Sequence, residues 1–192
     1  MHILPANGDA HLILVQALAH EIWLEHYPGI ISHRQVRYML DQGYSIDRLS
    51  QDVTEGIRYH LLYIDDQPAG FSAYSTTFSK TVSNAVSNAV PNAVPNAVST
   101  ADRAAALHKL YLRSAFHGQG IGSMLLSHVE SLCENQGCST LALNVNKHNT
   151  RAIKAYRRNG FIISRSTFNH IGLGFYMDDF YMTKALPRRL AT

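Results

Sequence analysis

The sequence predicts a mixed α/β (α+β) fold, with helices packed on a central sheet that is partly parallel. Two observations carry this. The last third alternates strand, helix, strand, helix, strand, which requires helical crossovers between parallel strands. Upstream, "IRYHLLYI" and "AGFSAYSTTF" are short strand-like runs joined by "DDQP", the pattern of an antiparallel hairpin. With 192 residues, 46% of them hydrophobic, the chain can bury one core, so residues 1–192 are expected to form a single domain.

Taken in order, "MHIL" reads as a first strand. Asn7 and Asp9 offer caps for a helix whose apolar positions Leu12, Val15, Leu18, Ala19, Ile22 and Trp23 recur with helical spacing. "PGIIS" interrupts it. Ser32 and Gln35 make a capping box, and Val36, Met39 and Leu40 give a second helical face ending at Gly43. A third short helix is expected in "SIDRLSQDVTEG", followed by the hairpin. Residues 81–100 hold "VSNAVSNAVPNAVPNAV", a four-residue unit with Pro91 and Pro95 that suits neither a helix nor a packed strand. This segment is expected to be a loop inserted between two strands: a tolerated repeat expansion, or a partner-binding or lid element. "ALHKLYL", a helix from the glycines to Asn135, "STLALNV", a helix from Asn149 to Asn159, and "FIIS" then alternate, and "DDFYMTKAL" folds back antiparallel.

Composition sets aside several classes. The apolar run "HLILVQALAHEIWL" is interrupted by polar residues, too short of a bilayer span, and the start lacks a basic leader and cleavage site. A cytoplasmic location is therefore expected. Cys133 and Cys138 read as reduced packing thiols. A net charge of +3 assists an anionic ligand but is too small to indicate nucleic acid. The eleven histidines include no H-E-x-x-H helix and the cysteines no C-x-x-C, so no metal is expected.

The junction "LYLRSAFHGQGIGSMLL" is more informative: a strand breaks into Gly118, Gly120 and Gly122, and a helix begins at once. A P-loop fails because no lysine follows the last glycine, and a dinucleotide fingerprint is a poor match because Ser123 occupies the third glycine site. Two readings remain for the loop alone. It is either a glycine-rich helix entry without a ligand, or a seat for a pyrophosphate on unpaired first-turn N–H groups at the positive end of the helix dipole. Downstream, Asn149, Ala152, Ile153, Tyr156 and Gly160 fall on one helical face. By itself Tyr156 reads as a core-edge tyrosine or a catalyst.

Together the two stretches resemble the GNAT superfamily of acetyl-CoA-dependent N-acyltransferases. The resemblance rests on a [QR]-x-x-G-x-[GA] loop at His117 to Gly122, and on an L-x-V-x-x-x-N-x-x-A-x-x-x-Y-x-x-x-G-F pattern at Leu143, Val145, Asn149, Ala152, Tyr156, Gly160 and Phe161, in the right order. It implies a mixed sheet of six to seven strands with a splayed parallel pair, flanked by about four to five helices. It also implies acetyl-CoA as acyl donor, bound without a metal. The implied binding set is Leu110, Tyr111, Leu112 and Arg113 at the strand end; His117, Gly118, Gln119, Gly120, Ile121, Gly122 and Ser123 at the loop and helix start; and Asn149 and Tyr156. Tyr156 is implied to face the thioester sulfur as a proton or hydrogen-bond donor. His117 departs from the usual arginine or glutamine and supplies less phosphate charge, for which Arg113 is a candidate to compensate. Lys147, Arg151, Lys154 and Arg158 form a basic stripe, read as a solvated face or a contact to a cofactor phosphate.

The acceptor amine must lose a proton. His108, on the strand entering the loop, is the candidate base, with Glu21, Asp178 and Asp179 as other options. "FYMDDF" is either a solvated turn or a border of the acceptor pocket suited to a cationic amine, and Trp23 and Tyr27 are either core or pocket wall. The expected function is acetyl transfer to a primary amine, on a small molecule such as a polyamine or on a protein N-terminus. The alternative is a non-catalytic acyl-CoA-binding sensor or interaction module. The expected partner is a small-molecule or peptide amine, with no nucleic acid and no membrane; a homodimer is compatible with the sequence.

Overall fold

The computed structural model describes residues 1–76 and 103–187. The chain divides into two compact units, Met1–Tyr74 with Lys109–Ser127, and Ser75–His108 with His128–Thr192.

In the first unit, β1 (His2–Pro5) pairs antiparallel with β2 (Arg58–Ile64), and β2 with β3 (Gln67–Ser75). The β2–β3 turn is made by Asp65 and Asp66 at φ 48° and 58°, the left-handed pair that a two-residue hairpin demands and that aspartate tolerates. Three helices follow β1: α1 (Asp9–His26), α2 (His33–Tyr44) and α3 (Ile46–Thr54). Ser32 caps α2 by accepting the Gln35 N–H at 3.2 Å, and Ser45 caps α3 by accepting from Arg48 at 3.3 Å. The start of α1 differs from the expectation. Gly8, at φ 83°, occupies the cap position with no side-chain cap bond, and the Asn7 N–H instead donates to His11 Nδ1.

The apolar faces of these helices, among them Leu18, Trp23, Val36, Leu40 and Leu49, bury one side of the strands through Tyr59, Leu61, Phe71 and Ala73. The other side is closed by Leu62, Ala69 and Leu112 against Ile121 and Leu125. Burial on both sides explains why β2 and β3 read as continuous apolar runs rather than alternating ones. Gly70 lets β3 meet the end of β4 (Ala104–Leu112), because a Cβ there would collide with the Tyr111 carbonyl oxygen and sit 2.8 Å from a Leu112 methyl.

In the second unit, the first half of β4 pairs in parallel with β5 (Thr140–Asn146). β5 pairs antiparallel with β7 (Phe175–Ala185), and β7 with β6 (Ile162–Gly172). Among the described strands the order is β1-β2-β3-β4-β5-β7-β6, with β4 and β5 the parallel neighbours, a mixed seven-stranded sheet. The parallel ladder covers Ala104–Leu107 against Thr140–Leu143 and stops there, although β5 runs on to Asn146. The helices are completed by α4 (Ile121–Asn135) and α5 (Thr150–Arg158).

The expectation for the last two strands needs correction. "FIIS" was expected to end its strand at Ser164, but β6 continues to Gly172, and the turn at Leu173 and Gly174 leads into β7 at Phe175. The polarity of this hairpin is inverted, with Thr167 and Asn169 buried and Ile162, Phe168 and Tyr176 exposed. Along β6 no apolar side chain is buried, so the strand carries no apolar alternation by which its length could be read.

Cys133 and Cys138 are buried and unbridged, and burial pushes the Cys133 thiol up to about 12, so both act as packing groups. Among the described residues no group of histidine, cysteine and carboxylate side chains could hold a metal ion, and no helix is long and apolar enough to cross a membrane. The repeat at 82–98 lies outside the described residues.

Candidate active site

The first unit presents the glycine loop. β4 ends at Leu112, a 3₁₀ turn covers Ser114–Phe116, and α4 opens at Ile121 with the Met124 N–H donating to the Gly120 carbonyl at 3.1 Å. Gly118 and Gly120 have φ 79° and 80°, and no atom lies within 4 Å of where a Cβ would stand on either. Both glycines are thus required by backbone conformation, and both face open space. Gly122 differs from them: a Cβ there would meet Leu112 Cδ1 at 3.4 Å, close to ordinary contact with a flexible side chain. Buried Ile121 anchors the first turn beside Leu112 and Leu125, while Ser123 is exposed. Helix geometry leaves the N–H groups of the first residues, Ile121 and Gly122, without acceptors inside α4, at its positive end. This is the arrangement that receives a phosphate.

His117 is committed to holding the loop together. Its Nε2–H donates to the Leu112 carbonyl at 2.9 Å, which ties the loop to the end of β4. Arg113 is likewise engaged. One terminal nitrogen donates to the Pro68 carbonyl at 2.6 Å and the other pairs with Glu21 at 2.7 Å, so Glu21 is also engaged there. Gln119 donates to the Ala115 carbonyl at 2.9 Å. Leu110 packs partly buried beside Leu112, and the Tyr111 ring turns into the core against Phe71 and Trp23, its hydroxyl 3.3 Å from that of Tyr27. Trp23 is core, and Tyr27 lies half-buried at the core's edge.

The same unit contains a buried charge network that the sequence did not reveal. Lys109 Nζ lies 2.9 Å from an Asp52 oxygen and 2.7 Å from the Tyr59 hydroxyl, which itself donates to Asp52 at 2.5 Å. Arg48 reaches the other Asp52 oxygen at 2.6 Å. Burial alone would raise the Asp52 carboxyl, but Lys109, the Tyr59 hydrogen bond and Arg48 together hold it below the usual carboxylate range. Burial lowers Lys109, against the opposing pull of Asp52.

In the second unit, buried Asn149 caps α5: its Oδ1 accepts the Ala152 N–H at 3.2 Å and its carbonyl accepts from Ile153. Tyr156, two turns along, sets its ring edge-on to Phe161 at 5.6 Å, and burial pushes the phenol up to about 12. Gly160 closes the helix at φ 89°. His108 places Nε2 2.9 Å from the Ser75 hydroxyl. It also lines a cleft of about 130 Å³ with Asn144 and Tyr181, floored by the small residues Ala106 and Ala142. The cleft lies where the parallel ladder ends.

Asn144 and Tyr181 were not among the predicted residues. The available signal was an asparagine breaking the apolar run "LALNV". "FYMDDF" is not the solvated turn that was one of its two readings: Asp178 and Asp179 lie inside β7, and Asp179 is 1% exposed. Burial first, then the neighbouring Asp178, raises the Asp179 carboxyl to about 6 against the opposing pull of Lys147, which pairs with Asp178. Arg151, Lys154 and Arg158 are exposed.

Residues 17–161 match the family model described as acetyltransferase (GNAT) family. Uncharacterized N-acetyltransferases of Mycobacterium bovis and Mycobacterium tuberculosis are 32% identical over 85 residues, 44% of this chain and 54% of theirs. The chain thus spans about half the length of the curated relatives it matches. Among solved structures, PaiA N-acetyltransferase from Thermoplasma acidophilum, in complex with coenzyme A, aligns with a TM-score of 0.68 at 21% identity, covering 96% of this chain and 99% of that one. The ribosomal-protein-S18-alanine N-acetyltransferase of Escherichia coli aligns with a TM-score of 0.65 at 16% identity, covering 99% and 96%. At these identities the structural likeness establishes the fold.

Proposed function

Because the chain belongs to the acetyltransferase (GNAT) family, we propose that it moves the acetyl group of acetyl-CoA to a primary amine by direct attack, the acceptor being a small molecule such as a polyamine or a protein N-terminus. The observation that carries this reading is the entry to α4. Gly118 and Gly120 hold left-handed backbone turns facing open space, directly before the positive end of α4. That entry fits a diphosphate, and the coenzyme A held by the Thermoplasma protein supports the same donor here. His117 then serves by fixing the loop on the Leu112 carbonyl, not by lending charge.

In the reaction, a C–N bond forms as the neutral amine attacks the thioester carbonyl, and the C–S bond breaks to leave a thiolate. His108 takes the proton that the ammonium must lose, its ring oriented by Ser75. Tyr156 serves the leaving group. With the phenol near 12, against about 8.5 for a thiol, it stabilises the thiolate by donating a hydrogen bond rather than by surrendering its proton. Asn149, as the α5 cap, positions Tyr156 and lines the pantetheine arm. A single-domain, cytoplasmic enzyme is consistent with this reading.

The test is thiol release from acetyl-CoA against polyamines, amino acids, aminoglycosides and peptide N-termini. Release with at least one class is expected. Coenzyme A binding without release to any acceptor would replace the enzyme by the acyl-CoA-binding module.

A further inference from the structure

Among the buried side-chain atoms of the second unit that lack a hydrogen-bond partner within the described residues are three acceptors, Asn144 Oδ1 in the cleft beside His108, Asp178 Oδ1 and Asp179 Oδ1, and one amide donor, Asn169 Nδ2. Of the acceptors, Asp178 has the Lys147 ammonium as its ion-pair partner, which leaves Asn144 and Asp179. Buried acceptors are nearly always satisfied, so two on one surface point to a donor that arrives from outside. The strand register places them together. Asn144 stands opposite Tyr181 and Asn146 opposite Asp179, so Asn144, Tyr181 and Asp179 share one face of β5 and β7, with Asp179 two residues beyond Tyr181. Two residues of strand span about 7 Å, a separation that a short aliphatic diamine can bridge.

The neighbouring charges leave Asp179 as the acidic end of this strip. Lys147 is paired with Asp178, and Arg165, from β6, lies over the Tyr181 ring at 4.0 Å. The opposite end is neutral and adjoins His108.

Building on the acetyltransferase reading, we propose that this strip selects diamine or polyamine acceptors. Asn144 orients the amine that reacts near His108, and Asp179 holds a second ammonium that does not react. Asp179 is therefore a specificity residue, and a protein N-terminus, which carries no second ammonium at that spacing, is disfavoured.

Two readouts test this: thiol release from acetyl-CoA with diaminobutane and with butylamine, and calorimetric titration of both amines into the coenzyme A complex. The wild-type protein is expected to favour the diamine by about thirtyfold or more in kcat/KM and in affinity, the scale of a buried, hydrogen-bonded charge pair. In Asp179→Asn that preference should collapse, in kcat/KM and in affinity, while coenzyme A affinity is kept. Asn144→Leu should slow both amines and leave their ratio intact. A wild-type protein that treats the two amines alike overturns the proposal without recourse to any variant, as does an Asp179→Asn protein that retains the preference. Absence of thiol release with every amine would instead sink the acetyl-transfer reading, and the calorimetric preference would still decide the role of Asp179.

Discussion

Tyr156 is a half-buried polar group and Asp52 a buried one, and their surroundings give them opposite tasks. Around Tyr156, burial keeps the phenol protonated and able to donate. Removing the hydroxyl deletes one hydrogen bond to a developing thiolate, so Tyr156→Phe should lower kcat by about 10- to 100-fold, the scale of a hydrogen bond to a charged group, while coenzyme A affinity stays the same. Steady-state rates and calorimetry together check this. Around Asp52, three partners favour the charged form. Its carboxyl lies below the unfolded value of 3.8, so its stabilisation is fully present above that value and is lost as pH falls through the lower folded one. Asp52→Asn leaves Lys109 buried without its counter-ion and should cost about 3–5 kcal/mol in urea unfolding at pH 7, with the difference shrinking in acid. The placing of Asn149 and Tyr156 on one helical face was legible in the sequence from their spacing, while their roles rested on the family resemblance. Asp52 and Lys109 were not legible, because they lie 57 residues apart and meet only through the packing of α3 against the sheet.

At the scale of elements, the α4 entry depends on backbone conformations that side chains resist. Ala in place of Gly120 must adopt φ near 80°, at a cost of about 1–2 kcal/mol, or else shift the loop. Gly120→Ala should therefore weaken coenzyme A binding by about tenfold while leaving the apo fold intact, as read by calorimetry and circular dichroism. Helix starts at Ser32 and Ser45 and the Asp65–Asp66 turn followed from local chemistry, and the sequence placed them well. The α1 start did not follow, because a left-handed Gly8 displaced two ordinary capping residues. The β6–β7 hairpin was read short because it buries threonine and asparagine and exposes isoleucine and phenylalanine. That same misreading concealed the surroundings of Asp179.

For the whole molecule, neither unit is a continuous stretch of chain: β4 and α4 each begin in one unit and end in the other. The fold class was legible because the strand–helix alternation and the two motifs are local patterns, both complete within one continuous stretch of the sequence. The proposed acceptor strip was less legible, since its residues come from β4, β5 and β7 and only the sheet register brings them onto one face. The central claim is that coenzyme A is held by the peptide nitrogens at residues 118–123. Amide hydrogen exchange, measured with and without coenzyme A, tests this most directly. The account predicts strong slowing in the segment covering Gly118 to Ser123. Bound coenzyme A that leaves exchange in that segment unchanged would contradict it.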